Sequence, residues 1–240
     1  MKSESFSIDV GGSKMPSYLA RPDTNAPLPA VIVLQEIFGV NTEVKRITDL
    51  LASSGFVALA INYYHRTHPD LNEPYTPDGL KNGFAAAGQV SRETLLTDVA
   101  AAIGWLDAQD FVKTGSIGTW GFCFGGAVAF LTATLPGVRA AACFYGGSIA
   151  SPFPNGEPAA MADAAKIRAP LLLAFGGKDD YITREHVEQI RAALEQAGKT
   201  FEIVVYPEQG HAFFRNSDLS QSDVADAWRR VQAFFEKNLG

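Results

Sequence analysis

Short apolar stretches alternate with helical patterns along almost the whole chain, and this alternation constrains the fold more than any other feature. The stretches are rich in Val, Leu, Ile and Ala, which is typical of strands buried on both faces of a sheet. Strands that alternate with helices predict an α/β fold, with a mostly parallel, doubly wound sheet and helices on both faces. The predicted buried strands are Pro29–Gln35, Phe56–Tyr64, Ser116–Phe122, Arg139–Tyr145, Ala169–Gly177 and Phe201–Pro207.

Two stretches before the first buried strand, Ser5–Val10 and Ser17–Arg21, alternate between polar and apolar residues and predict an N-terminal antiparallel hairpin. The chain has 240 residues and no internal repeat or linker-like segment, so we predict a single domain over residues 1–240. Residues 66–89 and 148–166 do not fit the alternation. Because they are polar and contain Pro and Gly, we expect irregular segments that lie over the carboxyl ends of the strands.

Several local signals predict where helices begin and end. A helical pattern covers Asn41–Ser54 and is ended by Gly55, while Ser91 can cap the next long helix. Near the C-terminus, Ser220 and Asp223 have the spacing of a capping box, which predicts that the last helix begins there.

Composition and charge restrict the class of protein. The hydrophobic content is 47% and the charged content 19%, which is ordinary for a soluble globular protein. A net charge of −6 leaves no basic face for nucleic acid or anionic lipid.

The N-terminus lacks a secretory signal, and no run approaches the ~18 apolar residues that cross a bilayer. With only two cysteines, we expect a cytoplasmic protein without disulfides. No metal-binding motif is present, so we expect no metal or other cofactor.

The segment Gly121-Phe122-Cys123-Phe124-Gly125-Gly126 carries the sharpest functional signal, because it lies where a buried strand turns directly into a helix. A nucleophile on such a strained turn needs small neighbours, since a Cβ there would clash. The helix N-terminus favours a thiolate at Cys123, and the Phe124 N–H would face a developing oxyanion. The alternative is an inert core cysteine, because free cysteines are often buried. Cys143 lies in the middle of a predicted strand and fits that description.

Two further residues follow the cysteine in the order expected for a catalytic triad. Asp179 comes just after the strand Ala169–Gly177, and His211 just after the strand Phe201–Pro207. All three residues would meet at the carboxyl edge of the sheet, where the histidine can accept the thiol proton and the aspartate can orient the imidazole. Asp180 is a second candidate for the acid. Individually, His211 could be a surface residue and Asp179 a turn residue.

Glu36 follows a buried strand immediately, so its carboxylate would be costly to desolvate unless it is paired or functional. The alternative is a charge that precedes the helix beginning near Asn41. Arg215, four residues after His211, is a candidate anion contact or a solvated loop residue.

The sequence resembles the dienelactone hydrolase (carboxymethylenebutenolidase) family of the α/β-hydrolase superfamily over nearly its whole length. The likeness is carried by Gly121–Gly126, Gln35–Asn41, His211–Arg215 and the group Tyr63, Tyr64 and Arg66. The resemblance implies a cytoplasmic, cofactor-independent enzyme that opens a lactone through a thioester acyl-enzyme. It also implies that Glu36 holds the resting thiol and accepts its proton, that the Ile37 N–H is a second oxyanion donor, and that Arg215, Tyr64 and Arg66 contact substrate.

One departure from the family pattern concerns a second arginine, which the family places on a helix after the tyrosine loop. The corresponding stretch, Thr76–Phe84, contains only Lys81, which offers a point charge and no bidentate fork. We therefore expect Lys81 or Arg66 to compensate, or the substrate to lack a second anionic group.

The sequence thus predicts a cysteine-dependent hydrolase of a small-molecule ester or lactone, acting as a monomer or homodimer. Two alternatives stay open. One is a general carboxylesterase or thioesterase that uses the same triad on neutral substrates. The other is a non-catalytic binding protein with the α/β-hydrolase fold.

Overall fold

The computed structural model describes residues 1–215 and 218–240. Within these residues, eight strands form one sheet in the order β1-β2-β4-β3-β5-β6-β7-β8. The first two strands form an antiparallel hairpin, β2 pairs antiparallel with β4, and the pairs from β4 to β8 are parallel. The mostly parallel sheet and the hairpin are therefore confirmed. The strands are β1 (Lys2–Val10), β2 (Ser13–Arg21), β3 (Leu28–Leu34), β4 (Val57–Ile61), β5 (Val112–Phe122), β6 (Ala140–Phe144), β7 (Leu171–Gly176) and β8 (Phe201–Tyr206).

The helices begin at polar caps in several places. The Asn41 side chain accepts hydrogen bonds from the N–H groups of Glu43 and Val44, and Ser91 forms a capping box with Thr94. No helix in the described part of the chain is long and apolar enough to span a membrane. The α-helices are α1 (Thr42–Ser53), α2 (Pro77–Ala87), α3 (Arg92–Asp107), α4 (Phe124–Thr132), α5 (Arg184–Gln196) and α6 (Ser222–Leu239).

The predicted start of the last helix was wrong. α6 begins at Ser222, with Gln221 in the cap position and no side-chain capping bond. Ser220 lies in the preceding turn, where its N–H donates to Asp218 Oδ1 over 2.9 Å. That local bond holds Ser220 outside the helix, so it cannot cap it.

Helices cover both faces of the sheet, and two adjacent residues of β5 show this. Successive residues of a strand point to opposite faces. A Cβ at Gly118 would lie 2.8 Å from the Phe235 ring of α6, whereas the Thr119 hydroxyl lies 2.9 Å from the Thr132 hydroxyl of α4. The doubly wound arrangement places the carboxyl ends of the parallel strands at one open edge.

The two segments predicted to be irregular differ in the structure. Residues 148–166 are mainly irregular apart from short 3₁₀ turns at Gly147–Ile149 and Ala160–Lys166. In residues 66–89, by contrast, the chain forms α2, so the prediction was wrong there. Thr76 caps α2 and Pro77 occupies its first turn, both typical of a helix start. Because Gly79 and Gly83 are typical of loops, the sequence pattern did not predict this helix.

Candidate active site

The chain turns sharply at Cys123, between the end of β5 and the start of α4. Cys123 has φ 53° and ψ −116°, a conformation that L-residues rarely adopt. Such a conformation costs on the order of 1–3 kcal/mol and persists only where the surroundings enforce it. The flanking glycines are required, because a Cβ at Gly121 would lie 1.8 Å from the Gly125 carbonyl oxygen and one at Gly125 would lie 2.3 Å from that of Leu34.

Three side chains from separate loops form a continuous chain of polar contacts at the carboxyl edge of the sheet. Cys123 Sγ lies 3.3 Å from His211 Nε2, and His211 Nδ1 lies 2.8 Å from Asp179 Oδ2. The other carboxylate oxygen, Asp179 Oδ1, accepts the N–H groups of Tyr181 and Ile182 at 2.8 and 2.9 Å. Asp179 is therefore fixed by its own turn, and the acid that contacts His211 is Asp179, while Asp180 is exposed.

The environment of the imidazole stabilises its charged form. Burial by itself lowers the pKa of His211, but the hydrogen bond to Asp179 and the contacts with Cys123 outweigh burial and raise the pKa to about 10. Burial likewise raises the pKa of Asp179, while the hydrogen bond to His211 and the two backbone N–H groups lower it, with a net decrease. At neutral pH these effects favour an imidazolium beside a carboxylate and next to the sulfur.

Strained backbone accompanies the site. Within residues 1–215 and 218–240, the non-glycine residues with positive φ are Cys123, Tyr145 and Ala212. Cys123 belongs to the triad, Ala212 follows His211 directly, and Tyr145 packs against the imidazole ring. The rings of Tyr145 and Tyr181 lie 5.4 and 5.3 Å from the imidazole ring of His211. These tyrosines were not predicted as site residues, because their positions after β6 and β7 carry no motif of their own.

Glu36 is paired with Arg215 in the structure. Arg215 Nη2 lies 2.8 Å from Glu36 Oε1, and Arg215 Nε lies 3.1 Å from Glu36 Oε2. Glu36 is buried, and the guanidinium carbon of Arg215 lies 4.0 Å from the ring centre of Tyr75 and 5.4 Å from that of Phe38. A bidentate pair between aromatic rings holds the arginine in a fixed orientation.

A cavity of about 730 Å³ opens above Cys123 and His211. Ile37 and Phe124, whose N–H groups were predicted as oxyanion donors, line it beside Cys123. Arg215 also lines it, and both segments predicted to lie over the site contribute to its wall. The described lining residues are Ile37, Phe38, Tyr75, Thr76, Pro77, Leu80, Phe84, Cys123, Phe124, Gly147, Ser148, Pro152, Pro154, Tyr181, His211 and Arg215.

Three predicted substrate contacts lie elsewhere. Arg66 binds Asp98 through two nitrogens at 2.9 and 2.7 Å, because the fully buried Asp98 carboxylate of α3 needs a cationic partner. Tyr64 is buried in the core against the ring of Tyr63. Lys81 is exposed on α2. The described residues that line the cavity include none of these three, so the expected compensation by Lys81 or Arg66 is not seen.

The described residues contain no group of three or more His, Cys, Asp or Glu side chains that could hold a metal ion. Cys143 is fully buried in β6, as predicted, and burial raises the pKa of its thiol well above the usual range. The side chains that meet at this edge of the sheet include a thiol, an imidazole, two carboxylates and a guanidinium.

Comparison with known proteins places the chain in a family. The sequence model of the dienelactone hydrolase family matches residues 15–239. A Synechocystis protein provisionally named carboxymethylenebutenolidase is 37% identical over 224 residues, covering 92% of this chain and 91% of that protein. A Bradyrhizobium protein provisionally named 2-oxo-3-(5-oxofuran-2-ylidene)propanoate lactonase is 34% identical over 242 residues, covering 97% of this chain and 94% of that protein.

A solved structure gives the same result. The crystal structure of a provisionally named dienelactone hydrolase from Klebsiella pneumoniae superposes with a TM-score of 0.88 at 33% identity, covering 98% of both chains. The predicted resemblance and the prediction of an enzyme are both confirmed. The chain therefore belongs to the dienelactone hydrolase family, within the α/β-hydrolase superfamily, and is a hydrolase.

Proposed function

We propose that this protein hydrolyses lactone or ester bonds with Cys123 as the nucleophile, through a thioester acyl-enzyme. The observation that carries the proposal is the contact chain from Cys123 Sγ through His211 to Asp179, with Sγ open to a cavity large enough for a small organic substrate. Both the Synechocystis and the Bradyrhizobium relatives bear names of lactone-opening enzymes, which agrees with this reaction class.

The side chains and backbone groups suit each step of the reaction. The Cys123 thiolate attacks the carbonyl carbon, and the oxyanion accepts hydrogen bonds from the N–H groups of Phe124 and Ile37. The protonated His211 then donates its proton to the departing oxygen as the C–O bond breaks; in a lactone this oxygen stays attached to the acyl group. His211 next takes a proton from water, which attacks the thioester. The acid leaves, and the sulfur is regenerated.

The ion pair between Glu36 and Arg215 can be opened by an anionic substrate. A substrate carboxylate that reaches Arg215 competes with Glu36 for the guanidinium, and the released Glu36 carboxylate can then accept the proton from any Cys123 that is still a thiol. Burial, the adjacent Tyr64, and the charges of Cys123 and Glu36 all raise the pKa of Tyr63. This agrees with a thiol and a carboxylate that share one neighbourhood.

We expect Arg215→Met to impair the hydrolysis of substrates that carry a carboxylate much more than the hydrolysis of neutral substrates. A charge-assisted hydrogen bond contributes about 1.5–3 kcal/mol, so kcat/KM for a lactone that carries a carboxylate should fall by about 10–100-fold. Hydrolysis of neutral p-nitrophenyl acetate should fall far less. Steady-state kinetics on both substrates measures the difference, and Arg215→Lys should restore part of it. Equal losses on both substrates would contradict an anion contact.

A second candidate function, a carboxylesterase or thioesterase for neutral substrates, is favoured by the cavity wall. Leu80, Phe84, Pro77, Pro152 and Pro154 line it and offer no charge. The catalytic steps are identical in this case, and only the substrate differs. A non-catalytic binding protein would not need a thiol activated by an imidazolium, and the reactivity of the thiol tests that alternative directly.

We expect iodoacetamide to alkylate Cys123 readily at pH 6–7 and to leave Cys143 unmodified in the folded protein. Because the pKa of His211 is raised to about 10, the imidazole is charged in this range and stabilises a thiolate beside it. A free thiol, with a pKa near 8.5, loses about tenfold in rate for each pH unit below that value. Peptide mapping of the two cysteines over pH 5–9 measures both rates.

The matched control for this labelling is His211→Asn, which retains a polar side chain but removes the imidazolium. In that variant the rate at Cys123 should decline steeply below pH 8, as for a free thiol. If the wild type shows the same steep decline, the imidazolium does not activate the sulfur, and the binding-protein reading gains support.

A further inference from the structure

One face of α2 forms an apolar wall of the catalytic cavity. Pro77, Leu80 and Phe84 line it at intervals of three and four residues, which places them along one side of a helix. Leu80 and Phe84 are nevertheless 37% and 49% exposed. Large apolar side chains that remain open to solvent inside a reactive cavity mark a surface that a ligand covers.

Two glycines of α2, which directly precede Leu80 and Phe84 in the chain, let the helix lie close to neighbouring backbone. A Cβ at Gly83 would lie 2.6 Å from the Ile37 carbonyl oxygen, and one at Gly79 would lie 2.1 Å from that of Pro74. Gly83 thus allows α2 to approach the backbone of the active-site loop at Ile37, whereas Gly79 allows the helix to fit against the turn at Pro74 that precedes it. The apolar face is therefore held next to Ile37, which lines the cavity beside Cys123.

A further part of the cavity wall comes from the segment between β6 and β7. Pro152 and Pro154 of this segment line the cavity, as does Tyr181, which follows β7 and is 68% exposed. This segment is anchored: the Arg92 N–H donates to Glu157 over 2.7 Å, and the Asn155 side chain donates to the Val90 carbonyl over 2.9 Å. This segment and the apolar face of α2 are thus both part of the wall of the cavity that contains the reactive sulfur.

Few of the described residues that line the cavity carry a charge. Among the described residues that line it, the cationic side chains are Arg215 and the imidazolium of His211. Lys81 is exposed on α2 and is not one of these lining residues. The cavity can therefore bind one anionic group at Arg215, and its remaining surface suits a ligand without charge.

We infer that the substrate carries an apolar arm, an alkyl chain or aromatic ring, that lies against Leu80 and Phe84, in addition to the scissile ester or lactone and at most one anionic group. This inference rests on the proposed function, because it concerns the same cavity. Leu80 and Phe84 act as specificity determinants. Each methylene that the wall buries should increase transition-state binding by about fourfold.

The test compares substrates that differ only in the length of an apolar arm. One series varies the acyl side, p-nitrophenyl acetate against hexanoate, and the other varies the alcohol side, methyl acetate against hexyl acetate. We expect kcat/KM of the longer member to be at least about tenfold higher in one series. Phe84→Ala should lower that ratio by about tenfold, and Leu80→Ala should lower it less. Val205→Ala, which truncates an exposed apolar residue on β8 outside the cavity, should leave it unchanged.

A ratio near one in both series, or a ratio that Phe84→Ala does not change, overturns the inference while the proposed function stands. If no ester is hydrolysed, the proposed function fails. Calorimetry with the Cys123→Ala variant can then still decide whether the cavity binds an apolar arm. Tighter binding of p-nitrophenyl hexanoate than of the acetate, abolished by Phe84→Ala in the same background, then supports an apolar arm. Equal binding of the two esters overturns it.

Discussion

Replacing Cys123 with alanine is expected to lower kcat/KM for ester hydrolysis by about 10⁴-fold or more, because the acyl group then has no nucleophile to receive it. The remaining rate would come from the oxyanion donors acting on water. Cys123 occupies a conformation with φ 53° for which the flanking glycines leave room, so the smaller alanine fits the same turn. Stopped-flow or steady-state hydrolysis of p-nitrophenyl acetate measures the loss, and circular dichroism checks that the fold is retained.

Two further variants make the result specific. Cys123→Ser should retain weak activity, because a hydroxyl is a poorer acid than a thiol and the imidazole must remove its proton during attack. Cys143→Ala is the matched control: this cysteine is fully buried in β6, so its loss should reduce stability by about 1 kcal/mol and leave turnover unchanged. Full activity in Cys123→Ala, or an equal loss in Cys143→Ala, would refute the proposed nucleophile.

The sheet could be predicted from sequence because strands buried on both faces need continuous apolar residues. Strand ends were less predictable, since local side-chain bonds determine them. Phe56–Tyr64 was predicted as a strand, but β4 ends at Ile61, where the Asn62 side chain accepts the Tyr64 N–H over 3.0 Å and turns the chain. The helix α2 was missed because Gly79 and Gly83 are typical of loops, although Gly83 permits a close approach to Ile37 and Gly79 permits one to Pro74.

The candidate site was predictable where chain order and strand ends determine it. Cys123, Asp179 and His211 each follow a strand of a parallel sheet, and such ends meet at one edge. Pairings between distant charged groups were not predictable. Arg66 binds Asp98 on α3, and Arg215 binds Glu36, which lies 179 residues earlier in the chain. No local pattern encodes either partner, because both depend on how the loops pack. The cytoplasmic location, the single domain and the oligomeric state stay predictions.

The comparison between Asp179 and its neighbour Asp180 gives the strongest test of the triad beyond the cysteine. We expect Asp179→Asn to reduce kcat by about 10³–10⁴-fold. In the wild type, Asp179 Oδ1 accepts two backbone N–H groups, so an asparagine would keep its carbonyl oxygen there and turn its amide nitrogen toward His211. The amide donates to Nδ1 and places the imidazole proton on Nε2, which then cannot accept a proton from the thiol. Asp180→Asn, an exposed isosteric change one residue away, should leave kcat unchanged.

The same pair of variants has a second readout in the titration of His211. The hydrogen bond to the Asp179 carboxylate helps to raise the pKa of His211 to about 10, whereas burial opposes it. Without that carboxylate the raising contribution shrinks, so the pKa should fall in Asp179→Asn and the imidazolium should disappear at a lower pH. NMR titration of the imidazole follows this shift, and the fast labelling of Cys123 at pH 6–7 should slow in parallel. A titration that is unchanged by Asp179→Asn but shifted by Asp180→Asn would identify Asp180 as the acid and overturn the assignment of Asp179.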